Sequence, residues 1–506
     1  MRRLKALQLP PAGIRPPSHA DLDTRGTALG REVESRGPQG VGLTGHKLLS
    51  EGKDAFAARV LLARSAERTL DVQYYIWHDD LSGSLLLDEL EAAAQRGVRV
   101  RLLLDDVGTS RLDARLACLA EQPNFEVRLY NPCVIRFPKT INYLFDFPRL
   151  NRRMHAKSFT VDSQATILGG RNIGDEYFAA RRSGLFVDLD VLAVGAIVVE
   201  VSKAFDKCWN GPDVRSVESL IGKVPKWRRR RMERARVSLA TSERAERFRE
   251  AVRSRRLFGE LIDGTMSMVW APARLVSHDY SDGDGREEQT DLPTLLPGDL
   301  YLPEERLDLI SGYFVPTQQG AADLIALAQK GVRVRVLTNS YAATDVGFVH
   351  AGYVPWRRAL LAAGVQLFEM PAPDDKPKTA RKFVRTSSAR SRTFRGEGRS
   401  LHAKVFGVDE REIYVGSANF DPRSAHLNTE LGLIIEAPQL ASDLAETFDQ
   451  DIAASVYRLG LSEDGRMYWI DARDDYPVRE FVEPGTGLFS RALVALLSRL
   501  PIERQL

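Results

Sequence analysis

The chain has 506 residues, of which 43% are hydrophobic and 27% are charged, as in an ordinary soluble globular protein. This composition excludes a wholly disordered chain and a fibrous repeat. The length predicts two or three domains, or one large repeated unit. The formal net charge is only +3, so contact with a polyanion would have to come from local basic patches.

Two further properties narrow the class of protein. Cys118, Cys133 and Cys208 are odd in number and far apart, which argues against a disulfide framework and a cysteine-based zinc site. No segment has the roughly 18–20 apolar residues of a membrane span. Pro10 and Pro11 interrupt the N-terminal segment where a signal peptide would need an apolar run. We expect the chain to approach any lipid from the surface.

A strand–helix–strand pattern occurs twice, in residues 70–105 and 307–337. In each copy a glycine, Gly97 or Gly331, follows the predicted helix as a C-cap. The run Val-Arg-Val-Arg then begins a second strand and predicts side chains that alternate inward and outward. Such a unit pairs its strands in parallel through a right-handed crossover. The sequence therefore predicts an α/β fold with two similar lobes, each with a mainly parallel or mixed β-sheet flanked by helices.

The remaining segments complete the predicted domain organisation. A basic run at 226–236 indicates a helical linker, a Lys-, Arg-, Ser- and Thr-rich stretch at 372–400 indicates an irregular loop, and 488–500 indicates an amphipathic helix. We expect that helix to pack on its own domain. The predicted domains are an N-terminal extension (1–45), a first lobe (46–222), a basic helical linker with a connecting loop (223–300), a second lobe (301–460) and a C-terminal segment (461–506).

A second repeated string follows each strand–helix–strand copy and has the form H-x-K-x4-D-x6-G-[GS]-x-N. Six fixed positions that recur after each copy of a duplicated unit indicate a shared site. The first string contains His155, Lys157, Asp162, Gly169, Gly170 and Asn172, and the second contains His402, Lys404, Asp409, Gly416, Ser417 and Asn419.

The spacing of these residues indicates phosphoryl chemistry. Histidine and lysine two positions apart on a strand share one face, and the asparagines can add amide donors. If the lobes pack about a pseudo-two-fold axis, one active site between them would hold two imidazoles, two ammonium groups and two amides around an anionic phosphoryl group. One imidazole can attack phosphorus while the other protonates the leaving oxygen. No metal or cofactor is expected, because Lys157 and Lys404 would offset the developing charge.

The doubled string resembles the signature of the phospholipase D superfamily at every position. Neighbouring strings at 71–77, 97–106, 169–178, 350–353 and 500–503 are similar to those of bacterial cardiolipin synthases of type C. The resemblance covers the chain from about residue 45 to its end. It implies transfer of a phosphatidyl group through a phosphohistidine, with His155 as the nucleophile and His402 as the acid and base.

The resemblance also implies roles for further residues. An acidic residue downstream commonly orients each histidine, and Glu430 and Asp188 fit that place in the two copies. Asp162 and Asp409 are expected to brace the motif loops rather than to touch phosphate. Gly170 stands where the second copy has Ser417, so the first half-site would lack a hydroxyl contact to phosphate there.

The resemblance implies phospholipid substrates, with phosphatidylglycerol as the acceptor, whereas the donor lipid stays open between phosphatidylglycerol and phosphatidylethanolamine. The expected location is the bacterial inner membrane, with peripheral contact on the cytoplasmic side. Two other activities remain open: a phospholipase D-type hydrolase that releases phosphatidic acid, and a nuclease of the same superfamily. The near-neutral net charge weighs against the nuclease and against nucleic acid as a partner. A scaffold without activity is disfavoured because both motifs are intact.

Overall fold

A computed structural model of the chain describes residues 17–38, 42–181, 183–278, 296, 300–344, 346–372, 399–474 and 477–498. The chain forms two compact units that interleave along the sequence. The first contains Met1–Ala180, Asp190–Gly283 and Leu427–Leu431, and the second contains Arg181–Leu189, Asp284–His426 and Gly432–Leu506. The predicted domain boundaries remain a prediction. Part of the predicted connecting loop, including its turn-rich segment at 279–287, most of the stretch at 372–400 and the string at 500–503 lie outside the described residues.

The first unit is built on a mixed sheet with the strand order β10-β4-β3-β2-β6-β7-β9-β1-β11. Its strands are β1 (Thr44–Leu49), β2 (Thr69–Tyr74), β3 (Arg99–Asp105), β4 (Phe125–Tyr130), β5 (Arg153–Met154), β6 (Ser158–Val161), β7 (Ala165–Gly169), β9 (Asp190–Gly195), β10 (Val214–Ser216), β11 (Val269–Ala271) and β12 (Ala273–His278). Its helices are Ala28–Arg36, Gly52–Ser65, Leu81–Gln95, Asp113–Ala120, Lys139–Leu144 (3-10), Phe147–Leu150, Ile197–Trp209, Val217–Leu220, Lys226–Ala240, Glu243–Arg253 and Arg256–Ile262.

The second unit contains a mixed sheet that includes the order β19-β18-β17-β13-β14-β15-β20-β21-β22. Its strands are β8 (Leu185–Val187), β13 (Arg306–Ser311), β14 (Arg333–Asn339), β15 (Gln366–Met370), β16 (Arg399–Leu401), β17 (Lys404–Val408), β18 (Glu412–Gly416), β19 (Asn428–Ile435), β20 (Tyr457–Leu461), β21 (Met467–Asp471) and β22 (Arg479–Glu480). The start of β19, up to Leu431, belongs to the first unit. Its helices are Thr317–Gln329, Gly347–Tyr353, Val354–Trp356 (3-10), Arg357–Ala362, Pro422–His426, Pro438–Thr447, Phe448–Ile452 (π), Ala453–Ser455 and Leu488–Leu497.

The two sheets repeat one topology, which confirms the predicted α/β fold class with two similar lobes. Strands β4-β3-β2-β6-β7-β9 of the first unit match β15-β14-β13-β17-β18-β19 of the second in order. In both units the predicted strand–helix–strand copy pairs its strands in parallel, β2 with β3 and β13 with β14. The strand that follows each HxK string is antiparallel to the first strand of the copy, as β6 is to β2 and β17 to β13.

The predicted outward direction of one arginine in each Val-Arg-Val-Arg run is wrong. Arg101 and Arg335 are almost completely buried. Arg101 donates from Nε and Nη2 to both oxygens of Asp71 at 2.7 Å, and Arg335 makes the equivalent fork to Asp308 at 2.6 and 2.7 Å. Helices cover both faces of the parallel part of a sheet. An arginine side chain that is buried there needs a carboxylate to pair with its charge.

The C-terminal helix forms, but the leucine stripe through which its sequence predicts packing, which includes Leu488, Leu493 and Leu496, is exposed. Leu488 and Leu496 are 81% and 59% exposed, whereas Val494 is buried. The helix Leu488–Leu497 contacts Gly347–Tyr353, so it packs through a different side from the leucine stripe. Within the described part of the chain, no helix has both the length and the apolar character that crossing a bilayer requires.

Candidate active site

Each HxK string lies where the chain changes its partner strand, rather than inside one strand as the sequence predicts. In the first copy β5 pairs with the start of β19 and β6 pairs with β2. In the second copy β16 pairs with β8 and β17 pairs with β13. At these changes the backbone N–H of His155 donates to Thr429 O at 2.9 Å, and that of His402 donates to Val187 O at 2.8 Å.

The first half-site, within the first unit, joins His155 to Glu430. Nδ1 of the imidazole lies 2.8 and 3.0 Å from the two carboxylate oxygens, and both side chains are buried. The ring of Tyr75 meets the imidazole edge-on with centroids 5.1 Å apart. A carboxylate that accepts from Nδ1 fixes the tautomer and leaves the Nε2 lone pair as the nucleophilic atom.

The second half-site, within the second unit, joins His402 to Asp188. Nδ1 lies 2.6 Å from Asp188 Oδ2, and the other carboxylate oxygen accepts from the backbone N–H of Leu189 at 2.8 Å. Phe186 packs against this imidazole with ring centroids 5.2 Å apart. The half-site therefore repeats the histidine–carboxylate pair of the first with a shorter acidic side chain.

The two orienting carboxylates are exchanged between the sequence repeats. Glu430 follows the second motif but contacts the histidine of the first, whereas Asp188 follows the first motif and contacts the histidine of the second. The division of the chain follows this exchange, because 427–431 belongs to the first unit and 181–189 to the second.

Both motif lysines are buried beside their histidines. Lys157 and Lys404 each donate from Nζ to the backbone carbonyl of the histidine two residues earlier. Lys404 Nζ also lies 3.2 Å from His402 Nδ1, and Lys157 Nζ lies 5.7 Å from the ring centroid of Tyr75. Each half-site thus keeps one ammonium group bonded to the backbone of its own histidine.

The motif aspartates hold backbone turns. Asp162 accepts hydrogen bonds from the backbone N–H groups of Glu67, Arg68 and Thr69 at 2.8–3.0 Å. Asp409 does the same for Glu304, Glu305 and Arg306 at 2.7–3.0 Å. Three such bonds occupy most of the acceptor capacity of a carboxylate, so this geometry is that of a brace.

The motif asparagines and small residues follow the next strand of each repeat. Asn172 Nδ2 donates to the hydroxyl of Tyr177 at 3.0 Å and its Oδ1 accepts from the N–H of Ile76 at 3.2 Å. Asn419 Oδ1 has no hydrogen-bond partner among the described residues. Gly170 and Ser417, the predicted phosphate contacts, are both buried after β7 and β18.

Gly416 has a packing requirement of its own. A Cβ at this position would lie 2.2 Å from the hydroxyl oxygen of Tyr414 and 2.7 Å from Gly432 Cα. In the first copy Gly169 has φ of 152°, a conformation that glycine adopts without strain.

Sequence reasoning missed two residues that hold the backbone just before each motif histidine. Asp105 ends β3 and accepts from the N–H of Met154 and from Arg153 Nη1, both at 3.0 Å. Burial raises the pKa of Asp105 to about 6, against the opposing effect of Arg153. Asn339 ends β14 at the same place in the repeat and exchanges two hydrogen bonds with the backbone of Leu401 at 2.8 and 2.9 Å. Their shared position after each Val-Arg-Val-Arg strand was the available signal.

Sequence reasoning also missed a cluster of three potential metal ligands, His78, Asp80 and Glu176. His78 Nδ1 lies 2.9 Å from Glu176, and Asp80 lies close enough that one ligand atom from each of the three residues falls within 4.8 Å of the others. Asp80 caps the helix Leu81–Gln95 by accepting from Gly83 N at 3.0 Å. Glu176 is nearly a hundred residues from His78, so motif spacing could not reveal the group.

A protein-family model described as "Cardiolipin synthase, PLD-like domain" matches the chain twice, at residues 61–209 and 300–452. Together the two matches cover more than half of the chain. The chain belongs to the phospholipase D superfamily. The resemblance drawn from the HxK strings is therefore confirmed. The protein is a phospholipase D-superfamily enzyme of the cardiolipin synthase type.

Individual relatives agree with the family match. Cardiolipin synthase C of Escherichia coli (strain K12) is 44% identical over 459 residues, which are 90% of this chain and 94% of the relative. A cardiolipin synthase of Staphylococcus aureus (strain Mu50 / ATCC 700699) is 24% identical over 85% of this chain and 71% of the relative. The crystal structure of phosphatidylserine synthase from Haemophilus influenzae Rd KW20 covers 94% of this chain and 99% of its own, with a TM-score of 0.58 at 14% identity. That likeness shows a shared fold.

Proposed function

We propose that this phospholipase D-superfamily enzyme is a phosphatidyltransferase that makes cardiolipin from two phospholipids. The observation that carries the proposal is the pair of histidine–carboxylate half-sites, His155 with Glu430 and His402 with Asp188. The 44% identity to E. coli cardiolipin synthase C over 90% of the chain supports the choice of lipid substrate. Phosphatidylglycerol is the proposed acceptor, and phosphatidylglycerol or phosphatidylethanolamine is the proposed donor.

In the first step His155 attacks the donor lipid. The Nε2 lone pair forms a bond to phosphorus while the bond from phosphorus to the headgroup oxygen breaks. His402, protonated at this stage, gives its proton to that oxygen, and glycerol or ethanolamine leaves. Glu430 stabilises the positive charge that develops on the attacking imidazole. A phosphatidyl group is then held on His155.

In the second step an acceptor lipid replaces the histidine. His402 removes the proton from the terminal hydroxyl of phosphatidylglycerol, whose oxygen attacks phosphorus as the bond to His155 breaks. The product is cardiolipin, and both histidines return to their starting protonation states. This scheme requires both half-sites to reach a single phosphorus atom, which is part of the proposal.

The remaining motif residues would hold the phosphoryl oxygens. Lys157 and Lys404 supply positive charge next to the imidazoles, which stabilises a transition state whose charge spreads over the equatorial oxygens. Asn172 and Asn419 would add amide donors. Ser417 would donate a hydroxyl hydrogen bond that Gly170 cannot, so a backbone N–H would take that place in the first half-site.

An enzyme that acts on phospholipids must reach a membrane surface. An exposed apolar segment that precedes the first motif is suited to this contact. Phe137 and Leu144 are 88% and 81% exposed, and Phe145 and Phe147 are also exposed. Exposed apolar residues of this size commonly mark binding surfaces. We propose peripheral association with the bacterial inner membrane, on its cytoplasmic side.

Product analysis tests the proposal. Purified protein is incubated with vesicles that contain phosphatidylglycerol, with or without phosphatidylethanolamine, and the lipids are identified by mass spectrometry. Cardiolipin with release of glycerol or ethanolamine is the expected result. Phosphatidic acid alone would assign the alternative hydrolase, in which water replaces the acceptor lipid. Cleavage of an oligonucleotide without lipid turnover would assign the nuclease.

The assignment of the nucleophile has its own experiment. A phosphatidyl ester of p-nitrophenol needs little protonation of its leaving group, so the His402→Ala variant should still complete the first step. We expect a burst of about one p-nitrophenolate per chain and a phosphatidyl adduct on His155, with slow turnover afterwards. A burst from the His155→Ala variant, or an adduct on His402, would reverse the two roles.

A further inference from the structure

The helix Lys226–Ala240 borders a cavity that the proposed reaction does not use. The cavity has a volume of about 450 Å³ and lies entirely within the first unit, between this helix and residues of Leu81–Gln95 and Asp113–Ala120. That volume is in the range of ligand-binding pockets. We call this cavity and its rim the arginine groove.

The charge of the arginine groove is strongly unbalanced. Five arginines line it and face two carboxylates, Asp79 and Asp88. Asp88 is already paired, with Arg115 at 3.1 Å and Arg236 at 3.0 Å. Burial raises the pKa of Asp79, with Arg111 and Arg115 opposing that shift. Arg115 and Arg236 are also paired with Glu91 and Glu233, both at 2.5 Å. The excess positive charge of the groove therefore comes from the other three arginines, Arg111, Arg228 and Arg231.

Two arginines in the groove are available to a ligand. Arg228 and Arg231 are exposed and make no hydrogen bond or ion pair with any residue that the structure describes. They lie three residues apart, on the side of the helix that faces the cavity. Arg229, by comparison, is paired with Glu121. Two guanidinium groups on one helix face suit bidentate recognition of phosphate oxygens.

The rest of the lining is apolar. Leu87, Ala114, Met232 and Leu239 contribute to the wall, and Trp227 at the rim is 66% exposed. A phosphate site with an apolar wall and a rim tryptophan matches an amphiphile, whose headgroup meets the arginines while its glycerol and first methylenes meet the wall. Tryptophan is enriched where protein meets the bilayer interface. Binding to single-stranded nucleic acid would instead call for several stacking aromatics along a basic track.

We propose that the arginine groove binds the headgroup of an anionic phospholipid in the bilayer, at a site separate from the histidine half-sites. The inference rests on the proposed function only for the choice of a lipid bilayer as the source of the phosphate. Its role would be to hold the enzyme on membranes rich in anionic lipid. Each basic residue near such a surface contributes about 1 kcal/mol, or about fivefold in binding.

The test compares two double variants of the full chain with equal loss of charge. Arg228→Gln/Arg231→Gln changes the groove, and Arg230→Gln/Arg234→Gln changes the opposite side of the same helix. Neither Arg230 nor Arg234 has a hydrogen bond or ion pair among the described residues, so the two pairs are matched. Binding is measured by co-sedimentation with phosphatidylcholine vesicles that contain increasing fractions of phosphatidylglycerol, and the fold of each variant is checked by circular dichroism.

We expect the groove variant to bind anionic vesicles about 25-fold more weakly and the matched variant to lose less than about threefold. Trp227 fluorescence should shift to the blue on vesicle binding, and Trp227→Phe should remove that shift. Equal losses in the two variants would show diffuse attraction and overturn the site, as would no loss in either. Groove-dependent binding of an oligonucleotide or of soluble glycerol phosphate, without vesicle binding, would also overturn it.

Failure of the inference can be told apart from failure of the proposed function. His155→Ala/His402→Ala should bind vesicles as the parent does, whether or not cardiolipin is formed. The groove variant should retain turnover of a short-chain substrate dissolved as monomers, because the half-sites are unchanged. If vesicle binding persists in the groove variant, the inference fails while the catalytic proposal stands.

Discussion

At the scale of single residues, the carboxylate at Nδ1 determines what each imidazole can do. Glu430 and Asp188 are fully buried and contact their histidines at 2.6–3.0 Å. Such contacts hold the imidazole ring in place and favour the tautomer with its lone pair on Nε2. In the proposed scheme they would also stabilise the imidazolium that forms when Nε2 attacks phosphorus or accepts a proton.

We expect Glu430→Gln and Asp188→Asn each to lower kcat by about 10²–10⁴-fold, because the amide removes the negative charge and can hold the wrong tautomer. KM for phosphatidylglycerol should change little, since neither carboxylate contacts lipid in the proposed scheme. Steady-state kinetics on mixed micelles measures both constants. Asp464→Asn, at an exposed turn, is the control. A purely raised KM would mean that these carboxylates act in binding.

The residue-scale features divide into those that sequence could predict and those that it could not. The HxK spacing and the motif aspartates follow from the repeated strings, whereas the choice of Glu430 and Asp188 came from the family resemblance. Which carboxylate contacts which histidine does not follow, because the partners are 275 and 214 residues apart and only strand pairing brings them together. Asp105 and Asn339 were missed although each ends a Val-Arg-Val-Arg strand, because that shared position does not show what either side chain contacts.

At the scale of elements, we expect the aspartates in the turns after the motif strands to affect the stability of the fold rather than the reaction. Asp162 follows β6 with φ of 49°, and its three backbone hydrogen bonds tie this turn to the start of β2. Asp409 does the same for β17 and β13.

The local sequence pattern predicted the strands well. The buried Arg101 and Arg335 show, however, that alternation alone does not tell which side of a sheet meets solvent.

We expect Asp162→Asn to lower the free energy of unfolding by about 2–4 kcal/mol, because an amide NH₂ would face backbone N–H donors. Asparagine tolerates positive φ, so the substitution leaves the turn conformation unchanged. Turnover per folded molecule should stay within about threefold. Urea unfolding and kcat corrected for the folded fraction are the two measurements. Normal stability with a hundredfold loss of kcat would instead place this carboxylate in the reaction.

A buried histidine on strand β1 should make the stability of the first unit fall at acid pH. His46 is buried there, and burial lowers its pKa from 6.5 to about 4, with contact to the backbone of Ala271 offsetting part of the shift. Between these values the unfolded chain binds a proton that the folded chain does not, so stability falls as pH falls from about 6.5 to about 4. The expected loss is about 2 kcal/mol between pH 7.5 and pH 5.

The variant His46→Leu should lose this contribution to the pH dependence. Denaturant unfolding at pH 7.5 and pH 5 compares the variant with the parent, and Leu49→Val in the same strand controls for altered packing. The parent should lose about 2 kcal/mol more than His46→Leu over this interval, and Leu49→Val should behave as the parent does. An unchanged pH dependence in His46→Leu would show that the imidazole is protonated in the fold.

At the scale of the whole molecule, duplication supplies two copies of one half-site that differ in their details. The carboxylate is glutamate in one and aspartate in the other, the aromatic contact is Tyr75 or Phe186, and Gly170 is matched by Ser417. Such differences suit unequal tasks, in which one histidine bonds to phosphorus and the other moves protons. Two independent and equivalent sites would have no such need.

The proposal that both half-sites serve one reaction predicts the behaviour of mixtures. His155→Ala and His402→Ala should each lower cardiolipin formation at least about 10³-fold, since neither the nucleophile nor the acid can be replaced by the other. An equal mixture of the two variants should remain inactive if each chain must supply both histidines. Independent half-sites would leave each variant with about half of the activity, and recovery in the mixture would mean that two chains combine their histidines in one site. Cardiolipin formation in phosphatidylglycerol vesicles, measured for each variant and for the mixture at equal total protein, separates these outcomes.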